Sequence, residues 1–387
     1  MIYLKLGIIG AGPSGLACAI SFKRKNKNSE VIIFDKKNKF GKKLKASGNG
    51  KCNISNINFD DVSYNNHYFD IARFNIFDFC KSLGIMLKSD SSGRIYPYNE
   101  QSSDVLDALT LECHLLGIKI VFEEVLEAKK DNLFVVKTTD NNYEFTHLVI
   151  ACGSKASSKL GTNGDGYRLA LAFNHHITRI LPGLAPLKCE GFNELSGIRA
   201  KCNLKVMIDG ELKYQENGEI QFKEDGISGI CVFQAASIFA RNKYDSLVLD
   251  FFPDLKVDEL SNYFKNANDD LYLDSCAFGF MNKLLFKKIM DDSNISYRSI
   301  KKGDFKEFDK LSYALKNYEI HGFSPSSFDN AQVCVGGISL DEVTNKFQSK
   351  LVDNLYFCGE VLDVDGLSGG YNIHFALASG YLLGEEI

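Results

Sequence analysis

An α/β fold built around a parallel-sheet nucleotide domain is predicted by three observations. Residues 7–36 read as one complete strand–helix–strand unit carrying a glycine fingerprint. Residues 321–387 return to the same grammar of strand, glycine-rich loop and helix. Between these ends the chain changes to short strands with turn glycines and then to a glycine-poor helical stretch, as expected of an insertion.

In the first unit each residue has a separate task. Gly10 permits the tight turn out of the first strand, and Gly12 lets backbone approach a pyrophosphate. Gly15, with Ala19, lets the helix pack closely on the sheet. Ser14 sits in the opening turn of that helix, where free N–H groups and the macrodipole favour negative charge by roughly 0.3–1 kcal/mol. Asp35 ends the second strand and is placed to accept from both hydroxyls of an adenosine ribose, so FAD or NAD suits the site better than NADP.

Next comes a glycine-rich loop, Phe40–Asn53, with no acidic residue from Lys36 to Lys51. Residues 70–117 read as helical with a break at 91–97. Strand-like runs at 118–128, 132–139 and 143–152 suggest a β-meander returning to the parallel sheet. From about 185 short strands such as Asn203–Ile208 and Glu219–Phe222 dominate, and 256–317 have helical spacing. Near the C-terminus, 354–358 is a buried strand, 359–372 a glycine-rich acidic loop and 373–384 a helix, so both ends of the chain contribute to one cofactor domain. The expected divisions are 1–187 for the first part of that domain, 188–255 β-rich, 256–320 helical, and 321–387 for the return.

Composition sets the exclusions. The chain has 387 residues and a net charge of −4, so no general basic coat for nucleic acid is present. Its 11 cysteines never fall in CxxC spacing, and its 7 histidines form no HExxH pattern, so neither a disulfide framework nor a metal site is expected. The uncharged run 6–22 coincides with the fingerprint and contains Pro13, which argues against a membrane span. A cytoplasmic protein is expected.

Gly10–Gly15, the run Gly41–Asn53, Gly164–Tyr167, Leu181–Leu187, Gly336–Gly337 and Tyr356–Asn372 together resemble the BaiN/RdsA-type (YhiN-like) flavoproteins, within the FAD proteins built like glutathione reductase. The resemblance implies a Rossmann-like FAD domain with an inserted β-barrel and a helical subdomain. The chain departs from the family in ending one strand Ala151-Cys152-Gly153 and in carrying Asp35 where a Glu is usual.

The resemblance also implies site residues. Gly359, Glu360 and Asp363 lie where such folds place the acid that accepts from ribityl hydroxyls. Gly370, Asn372 and Ile373 open a helix pointing at the flavin pyrimidine, where partial positive charge favours the reduced, anionic cofactor. Val125 stands either for backbone contact to adenine or for plain core. Lys36 follows Asp35 at the end of the second strand, and Gly153 ends the strand returning to the sheet. Lys43, Ser47, Gly48, Gly50 and Asn53 compose a loop suited to a phosphate or a flavin edge, or a flexible surface turn. Cys52, in the same loop, is either packing or the general acid that protonates a reduced substrate. With no second fingerprint, NADH or NADPH is expected to dock transiently as reductant. The lysines at 36, 37, 39, 42, 43, 45 and 51 form either a solvated face or an attraction for a phosphate backbone.

The function expected is hydride transfer from FAD to an electron-poor C=C bond, in a small steroid-like molecule or in a uridine of ribosomal RNA. An amine or aminoketone oxidase and a non-catalytic flavin-binding assembly factor are the alternatives.

Overall fold

The computed structural model describes residues 4–59, 69–242, 246–266, 279–295 and 305–387. The chain divides into two compact units, Met1–Leu181 with Phe328–Ile387, and Pro182–Ser327.

The first unit is organised by a five-stranded, all-parallel sheet. Strand β1 (Lys5–Ile9) lies between β2 (Glu30–Phe34) and the strand His147–Ile150; Lys119–Val121 flanks β2, and Leu355–Phe357 closes the other edge. Apart from the edge strand Lys119–Val121, these strands are near-continuous apolar runs because both faces are covered, and Leu6, Ile8, Ile33, Phe34, Leu148, Val149 and Phe357 are fully buried. Helix α1 (Pro13–Lys25) follows β1 as the fingerprint predicts. The C-terminal helix, Tyr371–Glu386, crosses α1 so closely that a Cβ on Gly380 would stand 2.0 Å from the Ser14 carbonyl oxygen, and one on Gly384 2.4 Å from that of Cys18. Small residues at these crossings let the last helix seat against the first.

Two smaller antiparallel sheets complete this unit. One is the meander Val125–Lys130, Phe134–Thr138 and Asn142–Phe145, as expected. The other differs from expectation: the break in the 70–117 helical stretch is a hairpin, Leu87–Ser89 with Arg94–Pro97, whose outer partner is Ser55–Asn56. It is closed by Asp90, whose Oδ1 accepts from the N–H groups of Ser92 and Arg94, and by Gly93 at φ 79°.

The second unit holds a seven-stranded antiparallel sheet ordered Tyr318–Ile320, Ser246–Asp250, Arg199–Ile208, Glu211–Lys223, Gly226–Ser228, Leu187–Lys188 and Ser324–Pro325. The two edge strands are joined by residues 321–323, a link spanning on the order of 14 Å at most. A flat sheet of this order would hold its edges about 29 Å apart. The sheet therefore curls strongly on itself. Residues of the strands (Leu204, Val206, Phe222) and of the helices Val257–Lys265, Lys283–Asp292 and Phe305–Lys316 (Leu260, Phe286, Leu311) share one apolar core, so strands and helices stabilise each other. No helix among the described residues is long and apolar enough to cross a membrane.

Candidate cofactor site

The fingerprint glycines behave as three different constraints. Gly10 adopts φ 115°, and a Cβ there would lie 2.4 Å from the Ala151 carbonyl oxygen; one on Gly15 would lie 2.0 Å from that of Gly10. Gly12 is the reverse: it caps α1 in extended backbone (φ −81°, ψ 177°), and a Cβ there meets nothing within 4 Å. Gly10 and Gly15 are thus required by the protein's own packing, whereas Gly12 faces open space. No side chain caps α1 and no acid lies in its first turn, which leaves its N-terminus suited to an anion.

Asp35 joins this turn directly. Its Oδ2 accepts from the Ala11 N–H at 3.1 Å and its Oδ1 from the Lys37 N–H at 2.9 Å. Burial pushes its pKa above the ordinary carboxylate value, against these two N–H groups and the nearby Lys36 and Lys37 charges. Each oxygen keeps a lone pair for a ribose hydroxyl. Lys36 is turned elsewhere, its ammonium 2.5 Å from Asp165 Oδ2 and 2.9 Å from Asn163 Oδ1.

The C-terminal loop closes on the same place. Gly359, at φ 75°, approaches so near that a Cβ would stand 2.5 Å from Ser14 Oγ. The next residue, Glu360, ion-pairs through Oε2 with Lys43 at 2.6 Å, joining two loops 317 positions apart. Its Oε1 is buried without a hydrogen-bond partner among the described residues. A buried carboxylate oxygen left this way is costly unless a donor reaches it, and a ribityl hydroxyl is a donor of the right kind. With the open face at Gly12, this orphaned oxygen makes the residues present fit a flavin dinucleotide.

Other expected site residues fall into two groups. Gly370 caps the C-terminal helix at φ 102°, with no side-chain cap and no acid in the first turn, so Tyr371, Asn372 and Ile373 present a second helix N-terminus. Asn53 comes to the same turn: its Oδ1 is buried without a hydrogen-bond partner among the described residues, 2.7 Å from where a Gly370 Cβ would sit. Gly48, Asn49, Gly50 and Cys52 all have positive φ, which winds the 47–53 loop left-handedly, and Gly50 faces open space. Gly153 (φ 70°) precedes the buried Ser154, whose Oγ lies 3.5 Å from Lys43 Nζ.

The second group is already engaged. Asp363 Oδ2 accepts from Thr178 Oγ1 at 2.8 Å, which helps to fix the loop. The Asn372 side chain is spent on its own loop, accepting from the Gly366 N–H and donating to the Gly366 and Leu367 carbonyls. Val125 is buried and its carbonyl accepts from Arg168 at 3.1 Å. The Ser47 hydroxyl donates to the Leu44 carbonyl.

Cys52 has two readings in the sequence, packing or general acid. It is 0 % exposed, its thiol hydrogen-bonds Ser47, and burial pushes its pKa to about 12. That burial supports the packing reading of Cys52 over the general-acid one. The lysine run is also smaller than its count: Lys36, Lys43 and Lys51 pair with Asp165, Glu360 and Glu100.

Sequence reading passed over the 94–97 strand, although its alternation of Arg94 and Tyr96 with the buried Ile95 and Pro97 is a two-residue period. It also passed over His374, in the first turn of the C-terminal helix. The His374 Nδ1 lies 2.6 Å from Ser55 Oγ, its ring stacks on Phe59, and its Nε2 is buried without a partner among the described residues. Burial lowers its pKa to about 3.

Against known proteins, the family profile described as "HI0933-like protein Rossmann domain" matches residues 4–386. The chain is 32% identical over 409 residues to the "3-dehydro-bile acid delta(4,6)-reductase" of Clostridium scindens, covering 98% of each protein. It is 26% identical to the "Ribosomal RNA dihydrouridine synthase" of Escherichia coli, covering 98% of this chain and 97% of that one. The Haemophilus influenzae protein of the same name is likewise 26% identical, over 97% of this chain and 96% of its own length.

Proposed function

Because the chain belongs to the HI0933-like family, we propose that it is an FAD-dependent oxidoreductase that takes electrons from NAD(P)H and reduces an electron-poor C=C bond. The observation carrying this reading is the Lys43–Glu360 pair, which closes the two ends of the chain over the fingerprint and leaves one buried carboxylate oxygen awaiting a donor. When bound, FAD supplies two-electron hydride chemistry.

The chain's own residues then divide the work. Gly12 and the α1 N-terminus receive the pyrophosphate, Asp35 the adenosine ribose and Glu360 the ribityl chain. The N-terminus of the C-terminal helix stabilises negative charge at the pyrimidine end. With Asp35 committed to FAD, nothing in the fingerprint distinguishes NADH from NADPH, and the nicotinamide docks transiently.

Reduction is favoured over amine oxidation by the chemistry in the relatives' names. A 3-dehydro-Δ4,6 steroid and a uridine both present a C=C conjugated to a carbonyl. A small conjugated ketone is the substrate read first, since the nearest of these similarities, at 32%, is to a steroid reductase. Lys37, Lys39, Lys42 and Lys45, which have no ion-pair partner among the described residues, support ribosomal RNA as the second reading.

Anaerobic titration tests this. NADH should bleach the flavin, and a 4,6-dien-3-one steroid or a uridine-bearing ribosomal RNA transcript should restore its colour. Bleaching by a small amine in place of NADH would make the protein an oxidase, and bleaching by neither an assembly factor.

A further inference from the structure

The hairpin strand Arg94–Pro97 carries a cation that the cofactor reading leaves unused. Ile95 and Pro97 are buried, so Arg94 and Tyr96 occupy the opposite face of the strand. Two glycine turns of the candidate site lie on that side. A Cβ on Gly369 would lie 4.0 Å from Arg94 Nε, and one on Gly48 3.6 Å from the Tyr96 ring.

The placement is held by backbone. Arg94 pairs with Asn56, and Asn56 Nδ2 donates to the Gly369 carbonyl at 3.0 Å, so the strand is tied to the cap of the C-terminal helix. The Arg94 N–H is donated to Asp90. Arg94 as a residue is half-buried and its guanidinium has no hydrogen-bond or ion-pair partner among the described residues, whereas Lys36, Lys43 and Lys51 around the same site each hold a carboxylate. A guanidinium whose donors are left without protein partners at a glycine turn is suited to an anionic or carbonyl ligand. The buried Asn53 Oδ1 at Gly370, which has no partner among the described residues, leaves a second polar group at this turn open to a ligand.

We propose that Arg94 binds the carbonyl oxygen of a substrate whose C=C bond is conjugated to that carbonyl. This rests on the reading of the protein as a flavin-dependent C=C reductase. Hydride from the reduced flavin adds to the β-carbon. The C=C pair becomes a bond between the α- and carbonyl carbons, and the carbonyl π pair moves onto oxygen as an enolate. Solvent then supplies the proton to the α-carbon, so the double bond gains two electrons and the flavin is oxidised by two. The guanidinium donates to the oxygen on which charge develops, an interaction stronger in the transition state than in the ground state.

Arg94→Met and Arg94→Lys test the assignment with a 4,6-dien-3-one steroid and the same steroid lacking the 3-oxo group. Equilibrium dialysis should show dienone binding weakened about tenfold in Arg94→Met and less in Arg94→Lys, with the deoxy steroid bound equally by all three proteins. Reoxidation of the reduced protein by the dienone should slow about 10–100-fold in Arg94→Met, while flavin content and bleaching by NADH stay within about twofold. Arg94→Met that binds and reacts like wild type, or that loses both steroids alike, overturns Arg94 as the carbonyl anchor. Should the dienone fail to reoxidise wild type, the same variants are read with the ribosomal RNA transcript. A wild-type protein reoxidised by neither probe sinks the reductase reading itself and Arg94's role with it.

Discussion

Replacing Gly12 by valine separates the cofactor's requirement for a glycine from the protein's own. Position 12 has extended backbone and open space where a Cβ would go, so the side chain neither strains nor displaces the fold. Replacing a glycine N-cap by valine costs about 1 kcal/mol, equally with and without FAD. The valine instead fills the approach to the α1 N-terminus, and a hundredfold weakening of FAD corresponds to about 2.7 kcal/mol. FAD at 100 times the wild-type Kd should therefore stabilise wild type by about 2.7 kcal/mol and Gly12→Val by about 0.4. Thermal unfolding with and without FAD, beside visible flavin absorbance of the purified proteins, reads this out. Gly15→Ala is the converse control. Its Cβ would stand 2.0 Å from the Gly10 carbonyl oxygen, so it should lose about 1–3 kcal/mol whether or not FAD is present, less the helix-propensity gain of about 1. Wild-type flavin content and an undiminished FAD shift in Gly12→Val would refute the reasoning and reduce the fingerprint to a turn.

Two further outcomes follow from buried groups. The folded pKa of His374, about 3, lies below its ordinary 6.5, so between those values only the unfolded chain takes up the proton. The neutral ring's contribution is full above pH 6.5 and is lost as pH falls, by about 1.4 kcal/mol at pH 5.5 and about 2 at pH 5. Urea unfolding of wild type should lose that much more than His374→Gln between pH 7.5 and 5.5, and equal acid losses would show that His374 titrates normally. Cys52→Ala should cost about 1 kcal/mol through a small core cavity and leave turnover within about twofold. A hundredfold loss of turnover with flavin bleaching intact would restore the thiol as proton donor.

The sequence alone determined the nucleotide half of this protein, because its requirements are local. The tight turn at Gly10, the open approach at Gly12, the helix-to-strand contact at Gly15 and the acid at 35 all fall within one strand–helix–strand unit. The apolar runs of β1 and β2 likewise announce a sheet covered on both faces. Local pattern also identified Lys43 and Glu360 as candidates but could not pair them, since nothing in residue spacing records a contact across 317 positions. Nor could it see that Asp363 Oδ2 accepts from Thr178, or that the Asn372 side chain is spent on the 366–367 backbone. The 94–97 strand was legible as an alternation but lay inside a stretch whose overall composition is helical, and only its pairing with Ser55–Asn56 carries Arg94 to Gly369. Cys52 is the plainest case. A cysteine in a glycine-rich loop has the same sequence signature whether exposed or sealed. The left-handed wind of that loop, fixed by tertiary packing, puts its thiol where no solvent reaches.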